Sequence, residues 1–108
     1  MSRLPPALVA QSTPRVLELL GDPPGRVLEL GFAGVHATVL RLAGFDVTVV
    51  EPDPAYRERA QERAGEVLDA PPRTRFDAVV APGGTDLAGV DAARIILVAD
   101  DGTASIAE

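Results

Sequence analysis

Two apolar runs about twenty residues apart constrain the fold of this chain more than any other feature. Residues 26–30 read Arg-Val-Leu-Glu-Leu and lead into Gly31. Residues 46–50 read Asp-Val-Thr-Val-Val and lead into the acid Glu51. A strand, a glycine-containing turn, a helix and a second strand ending in an acid describe half of a nucleotide-binding α/β unit, in which the acid contacts a ribose.

The period of the apolar residues predicts a helix after each of these strands. In residues 34–43, four apolar residues recur at helical spacing and predict one buried stripe: Val35, Val39, Leu42 and Ala43. Asp53 followed by Pro54 is typical of a capped helix start and predicts a helix over residues 54–64. The inner face of this helix is expected to carry Tyr56, Ala60 and Ala64. Its outer face is interpreted as solvated surface with five charged residues: Arg57, Glu58, Arg59, Glu62 and Arg63.

Three further strands are predicted over residues 67–68, 76–81 and 95–99. Residues 1–25 are predicted to form a helical lead-in that packs loosely over its first dozen residues. Thr13 is expected to cap a helix in this lead-in. Residues 100–108 are expected to form a polar tail.

The order of these elements predicts the fold class. Strands that alternate with helices indicate right-handed parallel crossovers, and short all-apolar strands are typical of a sheet covered on both faces. We therefore expect a single α/β domain over residues 1–108, built as a three-layer αβα sandwich. Its core, residues 26–99, is expected to hold a mainly parallel five-stranded sheet of order 3-2-1-4-5. A ligand crevice is expected at the carboxyl ends of strands 1 and 4, where the order reverses.

Composition narrows the classes of partner and chemistry. The 108 residues are 46% hydrophobic with a net charge of −6, so nucleic acid and anionic membranes are not expected as partners. The absence of cysteine excludes disulfides, a thiolate nucleophile and a thiolate zinc site, and the absence of lysine excludes a P-loop. No apolar run reaches the ~20 residues that span a bilayer, and no secretory pattern is present, so a cytoplasmic protein is expected.

Four segments in succession resemble motifs of the class I S-adenosylmethionine-dependent methyltransferases: residues 27–31, 42–53, 65–69 and 76–80. They are similar, in order, to the family's first motif, its second strand with the terminal acid, its short third strand followed by an acid, and its fourth strand. The resemblance extends over most of the chain. It implies a Rossmann-like fold, S-adenosylmethionine as cofactor, and a small, truncated member of the family.

The resemblance implies a cofactor site of six residues: Glu29, Gly31, Ala33, Gly34, Glu51 and Asp69. Glu51 would accept hydrogen bonds from both ribose hydroxyls. Gly31 would let the backbone approach the methionine moiety. Glu29 would support the loop or receive the ammonium group of the ligand, and Asp69 would accept from the adenine amine.

Each of the three acids also has a structural interpretation. Glu51 could be an exposed acid at a strand end. Because of that position, its replacement is expected hardly to change stability, even if Glu51 binds the ligand. Asp69 could be a turn residue before two prolines. Glu29, an acid inside an apolar strand, requires a polar partner, which the following loop could supply.

The loop after Gly31 departs from the family pattern. Ala33 and Val35 stand where the family usually has glycines, with Gly34 between them. The β-branched Val35 would be strained at positive φ, or it would crowd the ligand. A dinucleotide-binding motif fits less well, because His36 would take its last glycine position and no second half-site exists.

No catalytic residue is predicted. His36, the only histidine, is interpreted as a helix cap or a solvent-facing side chain. Residues 82–85 lack the Asn/Asp-Pro-Pro-aromatic run that holds a target amine, and they are interpreted as a turn. Asp100 and Asp101 precede a glycine and are interpreted as a turn rather than as a metal site.

Nine residues follow the predicted last strand, residues 95–99. They are too few for the C-terminal helix and antiparallel strands of full-length methyltransferases, which the fold is therefore expected to lack. The exposed strand edge would then be covered by a homodimer through this strand or by a partner protein. The alternative is that residues 103–108 fold back over the edge.

Two functional hypotheses remain. The first is a minimal S-adenosylmethionine-binding, methyltransferase-like domain with methyl transfer to an acceptor that the sequence does not identify, and Glu51 and Asp69 favour it. The second is a degenerate, non-catalytic fold that acts as a binding or regulatory subunit. Val35 and the missing strands favour the second hypothesis. A nicotinamide-dependent oxidoreductase is least favoured.

Overall fold

The computed structural model describes residues 6–107. Its helices are α1 (Pro6–Gln11), α2 (Thr13–Leu20), α3 (Ala37–Leu42) and α4 (Pro54–Ala64). Its strands are β1 (Arg26–Leu30), β2 (Asp46–Val50), β3 (Val67–Leu68), β4 (Arg75–Pro82), β5 (Asp91–Val98) and β6 (Ala104–Ala107). The first five residues of the predicted lead-in and the last residue of the predicted tail lie outside the described residues.

The strands form one sheet in the order β3-β2-β1-β4-β5-β6. The pairs among β1 to β5 are all parallel, and β6 is antiparallel to β5. In the central pair, β1 and β2 are aligned from Arg26 opposite Asp46 to Leu30 opposite Val50. The prediction of an α/β domain with a mainly parallel sheet is confirmed.

The sixth strand corrects the prediction of five strands without an antiparallel partner. The Gly102 N–H donates to the Ala99 carbonyl, and the Ala99 N–H donates to the Thr103 carbonyl, so the chain reverses tightly after β5. Gly102 has a φ of 85°, which a glycine adopts without strain. The chain then pairs with β5 from Ala104 opposite Val98 onward. The β5 edge is therefore occupied by residues 104–107, so the alternative prediction, that the tail folds back over this edge, is confirmed for these residues. An exposed β5 edge no longer argues for a homodimer.

The helices contribute to the core on one face of the sheet, which corrects the prediction of three layers. The helix residues in the two core clusters all belong to one of them: Val9, Val16, Ala37, Leu40 and Ala64. The cluster on the other face consists of strand residues, with Leu87 and Val90 of the β4–β5 connection packed against it. In the described chain, the connections between β3 and β4 and between β4 and β5 form no helix. Loops therefore close the second face.

The predicted apolar stripe is confirmed only in part: Val35 and Ala43 pack against the core, and Val39 and Leu42 do not. Ala37 and Leu40 are buried, whereas Leu42 is 84% exposed and Val39 is 42% exposed. Residues 34–36 form a turn instead of the first helical turn. The helix starts three residues later than predicted, at Ala37. The side of the helix that faces the sheet is therefore the one that carries Ala37 and Leu40.

The other helix predictions have mixed outcomes. Asp53 caps α4, since its Oδ1 accepts a hydrogen bond from the Ala55 N–H at 2.9 Å, as predicted. Thr13 does not cap α2: the cap position belongs to Ser12, whose side chain makes no capping bond. Val9 is only 3% exposed, so the prediction of loose packing is wrong for this residue.

Candidate functional site

A cleft of about 1010 Å³ opens where the parallel strands end. Residues 30–33 at the end of β1, residues 51–53 at the end of β2 and residues 82–86 at the end of β4 line it. Arg59 and Arg63 of α4 form another part of its wall. The volume is at the upper end of the range typical of small-molecule sites.

The topology explains why a cleft forms at this position. From β1 the chain adds β2 and then β3 on one side, and it adds β4 and β5 on the other. The connections that leave β1 and β4 therefore diverge and leave a crevice at the carboxyl ends of these two strands. In open α/β sheets, ligands bind at this kind of position.

The turn between β1 and α3, residues 31–36, forms the floor of the cleft. Gly31, Ala33 and Gly34 have φ values of 85°, 52° and 76°. Val35 is not among the residues with positive φ, so the predicted strain at Val35 is absent. The left-handed residue without glycine is Ala33, and this conformation costs an alanine of the order of 1 kcal/mol.

Two glycines in this turn are required by contacts within the protein. A Cβ on Gly31 would lie 3.3 Å from Pro82 Cδ, because the β1 and β4 ends approach closely here. A Cβ on Gly34 would lie 3.2 Å from the Ala64 Cβ of α4. The close packing of β1, β4 and α4 therefore explains both glycines without a ligand.

Glu51 stabilises the turn that forms the floor of the cleft. Its Oε1 accepts a hydrogen bond from the Ala33 N–H and its Oε2 accepts one from the Asp53 N–H, both at 3.1 Å. The side chain is fully buried where it borders the cleft. The interpretation of Glu51 as an exposed strand-end acid is therefore wrong. Its carboxylate joins the turn after β1 to the turn after β2.

Glu29 lies beneath the turn and does not line the cleft. The side chain is fully buried, and neither carboxyl oxygen has a hydrogen-bond partner. Burial raises the pKa of Glu29 from 4.5 to about 7. The N–H groups of Gly34, His36 and Ala37 approach without hydrogen-bond geometry, and together with the Arg41 charge they offset part of this rise in pKa.

His36 occupies the N-cap position of α3, as the sequence predicted, but its side chain makes no capping hydrogen bond. It is buried, so the prediction of a solvent-facing side chain is wrong. Its Nε2 lies 3.0 Å from Ser12 Oγ and 3.2 Å from the Val9 carbonyl oxygen, and its ring packs edge-on against Phe32. Since the Ser12 hydroxyl donates to the Val9 carbonyl, we assign the imidazole proton to Nε2. Nδ1 has no partner. Burial lowers the pKa of His36 to about 4, so the ring is neutral near pH 7 and ties α1 to the turn.

The six predicted site residues divide into two groups. Gly31, Ala33 and Glu51 line the cleft. The lining does not include Glu29, Gly34 or Asp69. Asp69 is solvent-exposed in the segment after β3, whereas Gly34 packs against α4.

The segment after β4 is a turn, as predicted, and it forms the opposite wall of the cleft. The Thr85 hydroxyl donates to the Pro82 carbonyl at 2.6 Å, and Asp86 Oδ1 accepts from the Ala88 N–H at 3.0 Å. Asp100, in the turn after β5, also borders the cleft. Within residues 6–107, no group of His, Cys, Asp and Glu side chains is arranged to hold a metal ion.

Sequence reasoning missed the two arginines of the cleft wall. Arg59 and Arg63 were assigned to the solvated face of α4, yet both border the cleft. Their spacing of four residues places them on one side of a helix and was the available signal. What could not be seen was that this side of α4 faces the turn after β1.

Comparison with models of protein families found no match, and comparison with curated proteins found none either. Among the described helices, none combines the length and the apolar character needed to cross a membrane.

Proposed function

We propose that the chain is a reduced Rossmann-like domain that binds S-adenosylmethionine or S-adenosylhomocysteine in the cleft. The observation that carries the proposal is the position of the cleft at the carboxyl ends of β1 and β4, where the strand order reverses. The order β3-β2-β1-β4-β5 and the resemblance to class I methyltransferases support the same assignment.

The chemistry of the cleft suits this ligand. S-adenosylmethionine carries two positive centres, the sulfonium and the ammonium group, and one carboxylate. The acids Asp53, Asp86 and Asp100 border the cleft and can face the positive centres, while Arg59 and Arg63 can face the carboxylate. An adenosyl ligand would thus find both signs of charge that it needs.

Methyl transfer from this ligand would depend on positioning by the protein. The sulfonium group itself supplies an activated methyl group when the ligand is bound. The protein would need to exclude water and hold the acceptor in line with the methyl group. The segment of residues 82–86, which borders the cleft opposite α4, is placed to contact an acceptor.

A non-catalytic binding module is the second candidate, and the cleft lining favours it. The only histidine of the chain, His36, is buried outside the cleft, and the chain has neither lysine nor cysteine. A proton acceptor for catalysis would have to be a carboxylate or Tyr56. A methyl acceptor that must be deprotonated at neutral pH would therefore find no histidine, lysine or cysteine in the cleft to act as its general base.

Calorimetric titration with S-adenosylmethionine and S-adenosylhomocysteine tests the proposal. Ala88 is exposed and borders the cleft, so Ala88→Trp should narrow the cleft and weaken binding by at least about tenfold. Ala93→Trp, at an exposed position outside the cleft lining, is the matched control and should bind like the wild type. Absence of binding to the wild type would refute the proposal. Binding without transfer of a labelled methyl group to amine, hydroxyl or carboxylate acceptors would favour the second candidate.

A further inference from the structure

We infer that Arg59 and Arg63 form an anion-binding subsite on the α4 wall of the cleft, which holds a carboxylate or phosphate group of the bound ligand. The inference rests on the proposed function, since it assigns part of the same ligand. It adds two residues that neither the sequence motifs nor the family resemblance indicated.

Arg59 and Arg63 both border the cleft from α4. Arg59 and Arg63 are one helical turn apart, so they project from the same side of α4. The Arg63 Nη1 donates to the Ala33 carbonyl oxygen at 3.1 Å, which anchors this side chain to the floor of the cleft. The close contact between Gly34 and Ala64 holds the helix against the turn.

The positive charge of this pair is not neutralised within the described part of the chain. The ion pairs there join Arg15 to Glu18 and Arg75 to Asp91. Arg63 makes one hydrogen bond, and residues 6–107 give Arg59 neither a hydrogen bond nor an ion pair. Three acids of the described chain border the same cleft, Asp53, Asp86 and Asp100, but none of them forms an ion pair with Arg59 or Arg63.

Other arginines of the fold are used differently. Arg41 donates to the Ala64 and Val47 carbonyls, and Arg57 donates to the Glu51 and Pro52 carbonyls. These guanidinium groups hold the backbone together and lie outside the cleft lining. Arg59 has no such structural contact, so its side chain is available to a ligand in the cleft.

The ligand chemistry follows from the shape of the guanidinium group. Its planar set of N–H donors matches two oxygens of a carboxylate or a phosphate, and charge-assisted hydrogen bonds of this kind are stronger than neutral ones. The opposite wall carries Asp86 and Asp100. A ligand with a positive and a negative centre would therefore bind in one orientation, with its anionic group at α4.

Titrations with four ligands test the subsite, with adenosine and methylthioadenosine as neutral ligands, S-adenosylhomocysteine as the carboxylate ligand and ADP as the phosphate ligand. Wild-type protein should bind the ligand that carries a carboxylate or phosphate group at least about tenfold more tightly than its counterpart without that group, and rising NaCl should reduce the difference. Arg59→Gln should remove most of this difference, and Arg59→Lys should retain part of it. Arg15→Gln makes the same change in net charge at an exposed position of α2. This variant should retain the full difference in affinity between the ligands.

The outcomes separate the inference from the proposed function. Preference for S-adenosylhomocysteine over methylthioadenosine, lost in Arg59→Gln, supports both. Preference for ADP alone, lost in the same variant, supports the subsite and assigns it to a phosphate, but it contradicts the methyltransferase-like proposal. If neither S-adenosylhomocysteine nor ADP binds more tightly than its neutral counterpart, or if Arg59→Gln leaves both preferences unchanged, the subsite is overturned. Binding of S-adenosylhomocysteine in that case leaves the proposed function standing. Absence of binding to every ligand overturns both.

Discussion

Glu29 and His36 place two ionisable side chains in the interior beside the turn after β1. Burial shifts their pKa values in opposite senses, to about 7 for the carboxyl and to about 4 for the imidazole. Both groups are therefore held in their neutral forms over the mildly acidic range. The two shifts have opposite effects on how stability depends on pH.

The signs follow from proton linkage. Between pH 4.5 and about 7, folded Glu29 holds a proton that the unfolded chain releases, so its contribution to stability falls as pH rises through this range. Between pH 6.5 and about 4, the unfolded chain protonates His36 while the folded chain does not, so its contribution falls as pH decreases. Each shift corresponds to about 3 kcal/mol, and the two largely offset each other between pH 4.5 and 6.5.

Glu29→Gln should therefore raise the free energy of unfolding at pH 8 by up to about 3 kcal/mol, because no buried carboxylate then has to ionise. Relative to the wild type, this gain should shrink as pH falls from about 7 to 4.5. Urea unfolding across pH 4 to 8 measures both effects. Glu66→Gln, at an exposed position, is the control. A Glu29→Gln curve parallel to that of the wild type would contradict the assignment.

Glu51→Ala should lower the free energy of unfolding by about 2–4 kcal/mol, because the buried Ala33 N–H and the part-buried Asp53 N–H lose their acceptor. This reverses the expectation from the sequence that stability would hardly change. Asp69→Ala, at an exposed acid, should stay within about 0.5 kcal/mol of the wild type. Chemical denaturation of both variants is the measurement. Weaker ligand binding by Glu51→Ala would not by itself assign Glu51 to the ribose, since the cleft floor would change as well.

At the scale of the elements, α3 shows that a short helix can have a clear apolar pattern and still expose part of it to solvent. Leu40 is fully buried while Leu42, two residues later, is 84% exposed. Leu40→Ala should cost about 2–5 kcal/mol of stability, because it leaves a cavity against the sheet. Leu42→Ala removes the same atoms from a solvent-exposed position and should change stability by less than about 0.5 kcal/mol. Similar losses in thermal or urea unfolding would show that the helix is rotated from the described position.

At the scale of the whole molecule, β6 protects the edge of an otherwise parallel sheet. A chain that ends at Gly102 would lack β6 and expose the N–H and carbonyl groups of β5. We expect this truncated protein to self-associate more strongly than the wild type, as measured by light scattering over a concentration series. Ile106→Ala retains the strand and trims a partly exposed side chain, so it is the control. A truncated protein that associates no more than the wild type would contradict the protective role.

In residues 6–107, the sheet is covered by helices on one face only, so the molecule has two layers. All helix residues in the core clusters pack on one face, and the opposite face is closed by the connections after β3 and β4. Prolines and glycines in residues 69–74 and 83–90 prevent regular helices there. These prolines and glycines are visible in the sequence. Three layers were nevertheless predicted, because parallel sheets are usually covered on both faces.

Local sequence determined the features that depend on neighbouring residues. Continuous apolar runs predicted β1 and β2, Asp53 predicted the start of α4, and alternation of strands with helices predicted the parallel sheet and hence the crevice. These inferences succeed because backbone preferences and periodicity are properties of a few consecutive residues. Tertiary structure alone decided that His36 and Glu51 are buried, that β6 pairs with β5 and that Arg59 and Arg63 face the cleft. Each of these outcomes depends on contacts between segments distant in the chain, whose register and rotation a local pattern does not contain.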